Sequence, residues 1–304
     1  MFRSSCEATR NLGLLIMHSI RDLRRRIRSI GSTEQITKAM QMVAGSKMRK
    51  AQQAAVTGRP FAYLLYRIQR EATTRMGEFR HPLLEVRDVS RRAVILIGAD
   101  KGLCGPLNGN LFRLAAQFDS QATVFITAGK KATQFVRATR RQLVAEFDYK
   151  DTPRFEEARA IAAFARDLFL KREVDEVHVV ATRFVNTLTQ QPLAMEFLPV
   201  GNIKALTIPG VESAEELAKD NEESLFEPSP EVVLGYMLLH YLNFYIYQVL
   251  LNAKASEQSA RMVSMKNATD SAQHLIRELS LEYNKQRQGN ITKELLEIAG
   301  GQSE

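Results

Sequence analysis

The sequence contains no tryptophan and only two cysteines, Cys6 and Cys104. Two thiols cannot build a disulfide framework or a cysteine-based zinc site, and so few fit a reducing compartment. Long apolar runs are missing too. A spanning helix needs about 20 mainly apolar residues. The most apolar window, Tyr236–Leu251, is interrupted by His240, Asn243 and Gln248, so no membrane crossing is expected. The five histidines (His18, His81, His178, His240, His274) are scattered, with no HxxxH or HExxH spacing to hold a metal. No Ser/His/Asp assembly follows from spacing either. No metal, no cofactor and no catalytic residue is expected. No aromatic residue occurs between Phe2 and Phe61, and no proline after Pro230.

What is present is ordinary globular material: 304 residues, 45% hydrophobic and 25% charged, enough for one large domain or two ordinary ones. The net charge of +8 is concentrated. Between His18 and Lys50, nine basic residues (Arg21, Arg24, Arg25, Arg26, Arg28, Lys38, Lys47, Arg49, Lys50) face two acidic ones (Asp22, Glu34), leaving +7 in one segment. Such a helix attracts phosphates, acidic lipid or an acidic protein surface by the same Coulomb term. The lack of interleaved aromatics lowers a single-strand nucleic-acid reading but leaves a basic coiled-coil protein on duplex nucleic acid as an alternative. A solvated helix face is the plainest reading of the charge alone.

The last third predicts one long helix, Glu231–Ile298, which would span about 100 Å and must find a partner along its length. A 4,3 spacing runs through Met237, Tyr241, Phe244, Gln248, Leu251, Ala255, Gln258, Met262, Met265, Thr269, Ala272, Ile276, Leu279, Tyr283, Gln286 and Asn290. This is a coiled-coil seam with a small and polar middle, suited to close approach of a second helix rather than to a leucine-zipper homodimer. The N-terminal segment supplies that helix. Ile20, Leu23, Ile27 and Ile30 recur at seam spacing, then Ile36, Met40, Val43 and Lys47, with a kink or restart expected at Gly31-Ser32-Thr33 and Ser32 or Thr33 as cap. Gly58 and Pro60 punctuate the pattern. The methionines at 40, 42, 48, 237, 262 and 265 lie on these two helices and read first as core.

Between them, Ala93–Gly98, Thr123–Ala128, Gln142–Phe147 and Val174–Ala181 are strand-like runs alternating with helical patterns at Leu107–Phe118, Lys130–Thr139 and Phe155–Lys171. The alternation predicts a Rossmann-like α/β domain with a largely parallel sheet. The fold class is therefore mixed α+β and α/β: an antiparallel coiled coil of the terminal helices with this domain in the middle. The boundaries fall at 1–16 (extension), 17–75 (N-terminal helix), 76–210 (α/β domain), 211–230 (connection) and 231–304 (C-terminal helix).

Gly98-Ala-Asp-Lys-Gly-Leu-Cys-Gly105 follows a strand and opens a helix, where a phosphate loop would sit. It lacks the Walker order, because Lys101 precedes the glycine and no hydroxyl follows. It reads first as a structural turn, with Asp100 as a cap and Cys104 as a small buried residue; a nucleotide-binding enzyme is a third, weaker reading. His240, on an apolar helix face, reads as a core or interface histidine.

Three stretches together resemble a known family. Ile36-Thr-Lys-Ala-Met-Gln-Met-Val-Ala-Gly-Ser-Lys-Met-Arg-Lys-Ala51, Asp100-Lys-Gly-Leu-Cys-Gly105 with Asn110-Leu-Phe112, and Ala255–Ala268 with Tyr283-Asn284, Arg287-Gln288 and Ile291–Leu295 are similar to motifs of the gamma subunit of F-type ATP synthases. The resemblance covers about Ile20–Gly300. It implies a central-stalk rotor: two terminal helices as a shaft inside a ring of alternating alpha and beta subunits, with the α/β domain beside the epsilon subunit and the membrane c-ring. It implies no active site and no nucleic acid; torque couples ion flow, usually hydrogen ion transport, to ATP synthesis. By motif position, Arg287, Gln288 and Thr292 match contacts to the beta-subunit catch loop. Lys38, Met40 and Met42 match the segment facing the acidic beta lever, which accounts for the basic helix.

The chain departs from the family at Gly289-Asn290, where small or hydrophobic residues are usual and helix stiffness comes into question. It has no cysteine-bearing regulatory insertion, so thiol control is not expected. Met17-His-Ser-Ile-Arg matches the family's start. Residues 1–16 are expected to reflect a misassigned start, or else a mitochondrial transit segment. The resemblance places the chain at the cytoplasmic face of a bacterial plasma membrane, or alternatively at the matrix side of the mitochondrial inner membrane.

Overall fold

The structure, a computed structural model, describes residues 19–75, 81–200, 227 and 229–300; the extension 1–16 and nearly all of the 211–230 connection lie outside them. The elements in chain order are α1 (Ile20–Thr57), α2 (Arg59–Arg75), a short 3-10 turn (Pro82–Leu84), β1 (Arg92–Ile97), α3 (Leu107–Ala115), β2 (Thr123–Ala128), α4 (Lys130–Ala138), β3 (Gln142–Phe147), α5 (Phe155–Leu170), β4 (Glu176–Phe184), β5 (Gln190–Leu198) and α6 (Pro230–Gly300). By contact the chain separates into two compact units, 41–264 and 1–40 with 265–304.

In the larger unit the strand order is β3-β2-β1-β4-β5, with the first four parallel and β5 antiparallel to β4. The apolar β-branched runs of β1 and β2 form central strands because both of their faces are covered. Alternate residues then serve two cores. Val94, Leu96, Phe125 and Val180 pack with Leu111 and Ala115 of α3 and Ala132 and Val136 of α4. On the opposite face Ile95, Ile97, Ile126 and Val179 pack with Ile161, Ala165 and Phe169 of α5, Ala62 and Leu65 of α2, and Leu234–Ala253 of α6. The start of the long helix is thus part of the α/β core.

The four expected strands and three expected helices are all present. The sequence reading omitted β5. Its segment is weakly apolar and carries Pro192, a residue that an edge strand tolerates because the missing N–H faces outward.

Two local expectations are corrected. There is no break at Gly31-Ser32-Thr33. The Ser32 hydroxyl donates to the Arg28 carbonyl at 3.2 Å and Thr33 to that of Ser29 at 3.2 Å, so both bond backward within one continuous helix instead of capping a new one. The chain does turn at Gly58, between α1 and α2. The second correction concerns the α1 seam. Ile36 and Val43 are 60% and 53% exposed, while Thr37, Ala44, Met48 and Ala51 are buried. Small residues win these positions because they let the partner backbone approach: a Cβ at Gly45 would lie 3.1 Å from the Met262 sulfur.

In the smaller unit α1 and α6 run antiparallel. The Thr37 and Thr269 hydroxyls share a hydrogen bond of 2.7 Å, and Gln273 Nε2 donates to Glu34 Oε1 at 2.8 Å. The expected α6 seam is followed along the helix: the residues from Met237 to Ala272 are buried except Met262, which is half-buried, as are Ile276, Leu279, Tyr283 and Gln286, whereas Asn290 is exposed. The helix continues unbroken through Gly289 and Asn290.

Two glycines are expected to respond oppositely to alanine. At Gly129, φ is +96° and a Cβ would collide with the Gly98 carbonyl oxygen. Gly129→Ala should cost at least about 1–3 kcal/mol in a urea titration. At Gly289 nothing lies within 4 Å of a Cβ. Gly289→Ala should gain roughly 0.8–1.0 kcal/mol of local helix stability, read as slower amide exchange from Lys285 to Leu295.

Candidate functional site

Within the larger unit, the turn after β1 and the middle of α6 meet in a network of charges that is buried at Lys254, Glu257 and Arg261 and opens to solvent at Lys47 and Asp151. Lys254, Glu257 and Arg261 are spaced by three and four residues, which places them on one helical face. The Lys254 side chain is fully buried, with its Nζ 3.1 Å from Glu257 Oε2, 3.5 Å from Asp100 Oδ2 and 3.6 Å from Asp151 Oδ1. It also lies 4.8 Å from the centre of the Tyr149 ring. Arg261 Nη2 lies 2.8 Å from Glu257 Oε1 and donates to the carbonyls of Lys101 and Gly102 at 3.1 and 3.2 Å. Lys47 of α1 closes the network on Asp151 at 2.6 Å. Three cations therefore meet three carboxylates.

The backbone of the turn is held from several sides. Tyr149 donates to the Gly98 carbonyl at 2.9 Å. The Ala99 amide donates to Asn108 Oδ1 at 3.3 Å, and the Asn108 amide to the Cys104 sulfur at 3.4 Å. Leu103 adopts φ +62°. Asp100 does act as a cap, but for α4: its Oδ1 accepts from the Lys130 amide at 3.3 Å. Cys104 is buried with Leu107 against Ala260 of α6, and that burial pushes its thiol pKa up. On the other side of α6, Ser256 and Ser259 donate to the carbonyls of Thr182 and Thr187 at 3.2 and 2.8 Å. Residues Ala253–Arg261 are buried all round. Lys254 is sealed from solvent, and the arrangement joins α6 to the turn after β1 and the loop after β3.

The residues singled out from the sequence lie elsewhere. Arg287, Gln288 and Thr292 are exposed on α6, and the Thr292 hydroxyl donates to the Gln288 carbonyl at 2.9 Å. The register set by Thr37–Thr269 and Glu34–Gln273 puts Ile20 level with Arg287, so α6 from Gln288 onward has no helical partner among the described residues. Lys38 is exposed and Met40 half-buried in the same unit. Met42, 63% exposed, falls in the larger unit. The core reading of the methionines therefore holds for Met48, Met237 and Met265, which are buried, and fails for Met42. His240 is also exposed, against the reading of it as a core residue.

The joint itself was missed. Lys254 directly precedes the motif at Ala255–Ala268, and a Lys-x-x-Glu-x-x-x-Arg ladder among Ala253, Ser256, Ser259 and Ala260 was its legible signal: charges on a stretch of small residues that suits close packing on every side.

The comparisons with known proteins agree over nearly the whole chain. A family model described as ATP synthase matches residues 19–303. Curated ATP synthase gamma chains from Opitutus terrae and Methylacidiphilum infernorum are 46% and 44% identical, over 94% of this chain and 98% and 99% of theirs. Among solved structures, the central stalk and c-ring of the Tetrahymena thermophila mitochondrial ATP synthase has a chain similar at TM-score 0.54 and 25% identity, covering 77% of this chain and 99% of its own. A chain of the Euglena gracilis mitochondrial enzyme shares the fold at TM-score 0.64 and 18% identity, over 94% of each.

Removing one member of a buried ionic network strands the others. Arg261→Ala should destabilise the larger unit by about 3–5 kcal/mol in a urea titration. The hydrogen bond from Lys47 holds the Asp151 carboxyl below the usual aspartate range. Its contribution to stability is therefore complete above about pH 4 and disappears as pH falls through the lowered folded value. Asp151→Asn should melt earlier than the parent at pH 7, and the difference should close on acidification.

Proposed function

The chain belongs to the ATP synthase gamma chain family, and from that premise we propose that it transmits torque through the complex without an active site of its own. It is a subunit of the ATP synthase central stalk, and none of its described helices is long and apolar enough to cross a membrane. The observation that carries the finer reading is the charged joint. The first part of α6 is built into the α/β core, its middle is locked by Lys254, Glu257 and Arg261, and the same unbroken helix continues to Arg287, Gln288 and Thr292. Force applied to the α/β domain by an epsilon subunit and a c-ring thus passes into α6 through buried ion pairs and packing rather than through a hinged loop.

At the far end, the exposed Arg287, Gln288 and Thr292 meet the beta catch loop, and Lys38, Met40 and Met42 meet the acidic beta lever. The physics is population shift. Each beta conformation meets a different face of the helix, and a rotor biases those conformations only as far as its contacts with them differ in free energy. The basic surface of α1 serves the acidic lever and not nucleic acid. The bacterial relatives support a place at the cytoplasmic face of the plasma membrane, peripheral and held there by the complex.

Replacement of Arg287 and Gln288 by alanine tests the contact. A charge-assisted hydrogen bond contributes about 1.5–3 kcal/mol, so losing it should slow ATP synthesis roughly tenfold or more. Assembly with alpha and beta, measured as complex mass, should be unchanged. Normal synthesis in the double variant would remove these residues from the coupling path.

A further inference from the structure

An open cleft of about 740 Å³ lies beside the joint in the larger unit, at the carboxyl ends of β1, β2 and β3. This is the edge of a parallel sheet where α/β folds place ligands. Its floor is the buried Tyr149 ring, fixed by the hydroxyl bond to Gly98. Lys101, Lys130, Lys150 and Arg154 stand around it on three separate segments: the turn after β1, the start of α4 and the loop after β3. None of the four side chains makes an ion pair with a described residue. By contrast, Arg87, Arg92, Arg137 and Arg172 elsewhere on the same domain each hold a carboxylate.

The carboxylates of the cleft offset these cations only in part: Lys101 attracts Asp151 at a distance, without an ion-pair contact. Asp100 is engaged by Lys254 and by the Lys130 amide, and Asp151 by Lys47 and Lys254. Only Asp148 is left without a partner among the described residues. The joint thus consumes the negative charge at the cleft's inner wall and leaves a surplus of cations at its rim. We propose that this cleft binds a compact polyphosphate anion, one carrying two or three linked phosphate groups. Four cations on three segments match several phosphate groups better than one, and lysines serve as adaptable point charges for phosphate oxygens. The anion is either inorganic or the phosphate chain of a nucleotide; the rim chemistry is the same for both.

The test uses the full-length chain at about 0.15 M salt, where distant charges are screened. Sodium tripolyphosphate is titrated calorimetrically, with ATP in a parallel arm. The expected result is saturable binding of one equivalent. Lys130→Gln with Lys150→Gln should weaken it roughly tenfold or more, since each removes a charge-assisted contact. Asp148→Asn should tighten it, an independent check in the opposite direction. Equal or stronger binding of ATP would assign the anion to a nucleotide, and preference for tripolyphosphate to an inorganic chain. Absence of binding would overturn the proposal. So would binding that ignores both the cleft variants and Asp148→Asn but is lost on Arg24→Gln with Arg28→Gln, because it would then belong to the basic surface of α1.

Discussion

The structure depends on one set of ion pairs with a buried centre, in which buried Lys254 of α6 is surrounded by Glu257, Asp100 and the more exposed Asp151 while Arg261 grips Glu257 and two carbonyls of the 101–102 turn. Charges removed from water are costly unless every one is matched. That requirement links residues far apart in sequence: the turn after β1, the loop after β3 and Lys47 on α1 each supply a partner that the middle of α6 cannot supply to all of its charges alone. Apolar packing supplies most of the attraction between α6 and the sheet, but it is tolerant of sliding. The ion pairs and the serine hydroxyl bonds fix the position.

The glycine-rich turn gains its meaning from that arrangement. Gly98 and Gly129 let the ends of β1 and β2 lie close enough for Tyr149 to reach the Gly98 carbonyl. In the same turn the carbonyls of Lys101 and Gly102 accept from Arg261. A loop that in sequence stands where a phosphate loop would is here a receptor for an arginine of its own chain. Its backbone carbonyls at Lys101 and Gly102 face Arg261, a use of exposed backbone polar groups that a phosphate loop does not make.

Much of the fold was legible because periodicity reports burial on one side. The α6 seam and the helices of the α/β domain follow that rule, whereas β1 and β2, covered on both faces, were legible as short apolar runs. Reading failed where two partners cover one element or where size outweighs hydrophobicity. On α1, the apolar Ile36 and Val43 suggested the seam, yet Thr37, Ala44 and Gly45 form it, because backbone proximity to α6 is worth more there than side-chain area. On α6, Lys254 and Glu257 look like solvent-facing charges in a one-dimensional reading; only the folded α/β domain supplies the opposite charges. β5 was invisible because an edge strand with Pro192 carries neither strong alternation nor β-branching. The six proposed contact residues, five of them exposed and Met40 half-buried, came from motif resemblance, since exposure alone leaves no pattern.

The complete enclosure of Ala253–Arg261 has a further consequence. A helix touching neighbours along one stripe can roll about its own axis as a rod rolls in a groove. This stretch has polar bonds leaving it toward the β1 turn on one side and toward β4 and the β4–β5 connection on the other. It is keyed like a splined shaft in its hub: turning the helix about its own axis in either sense must break contacts at once.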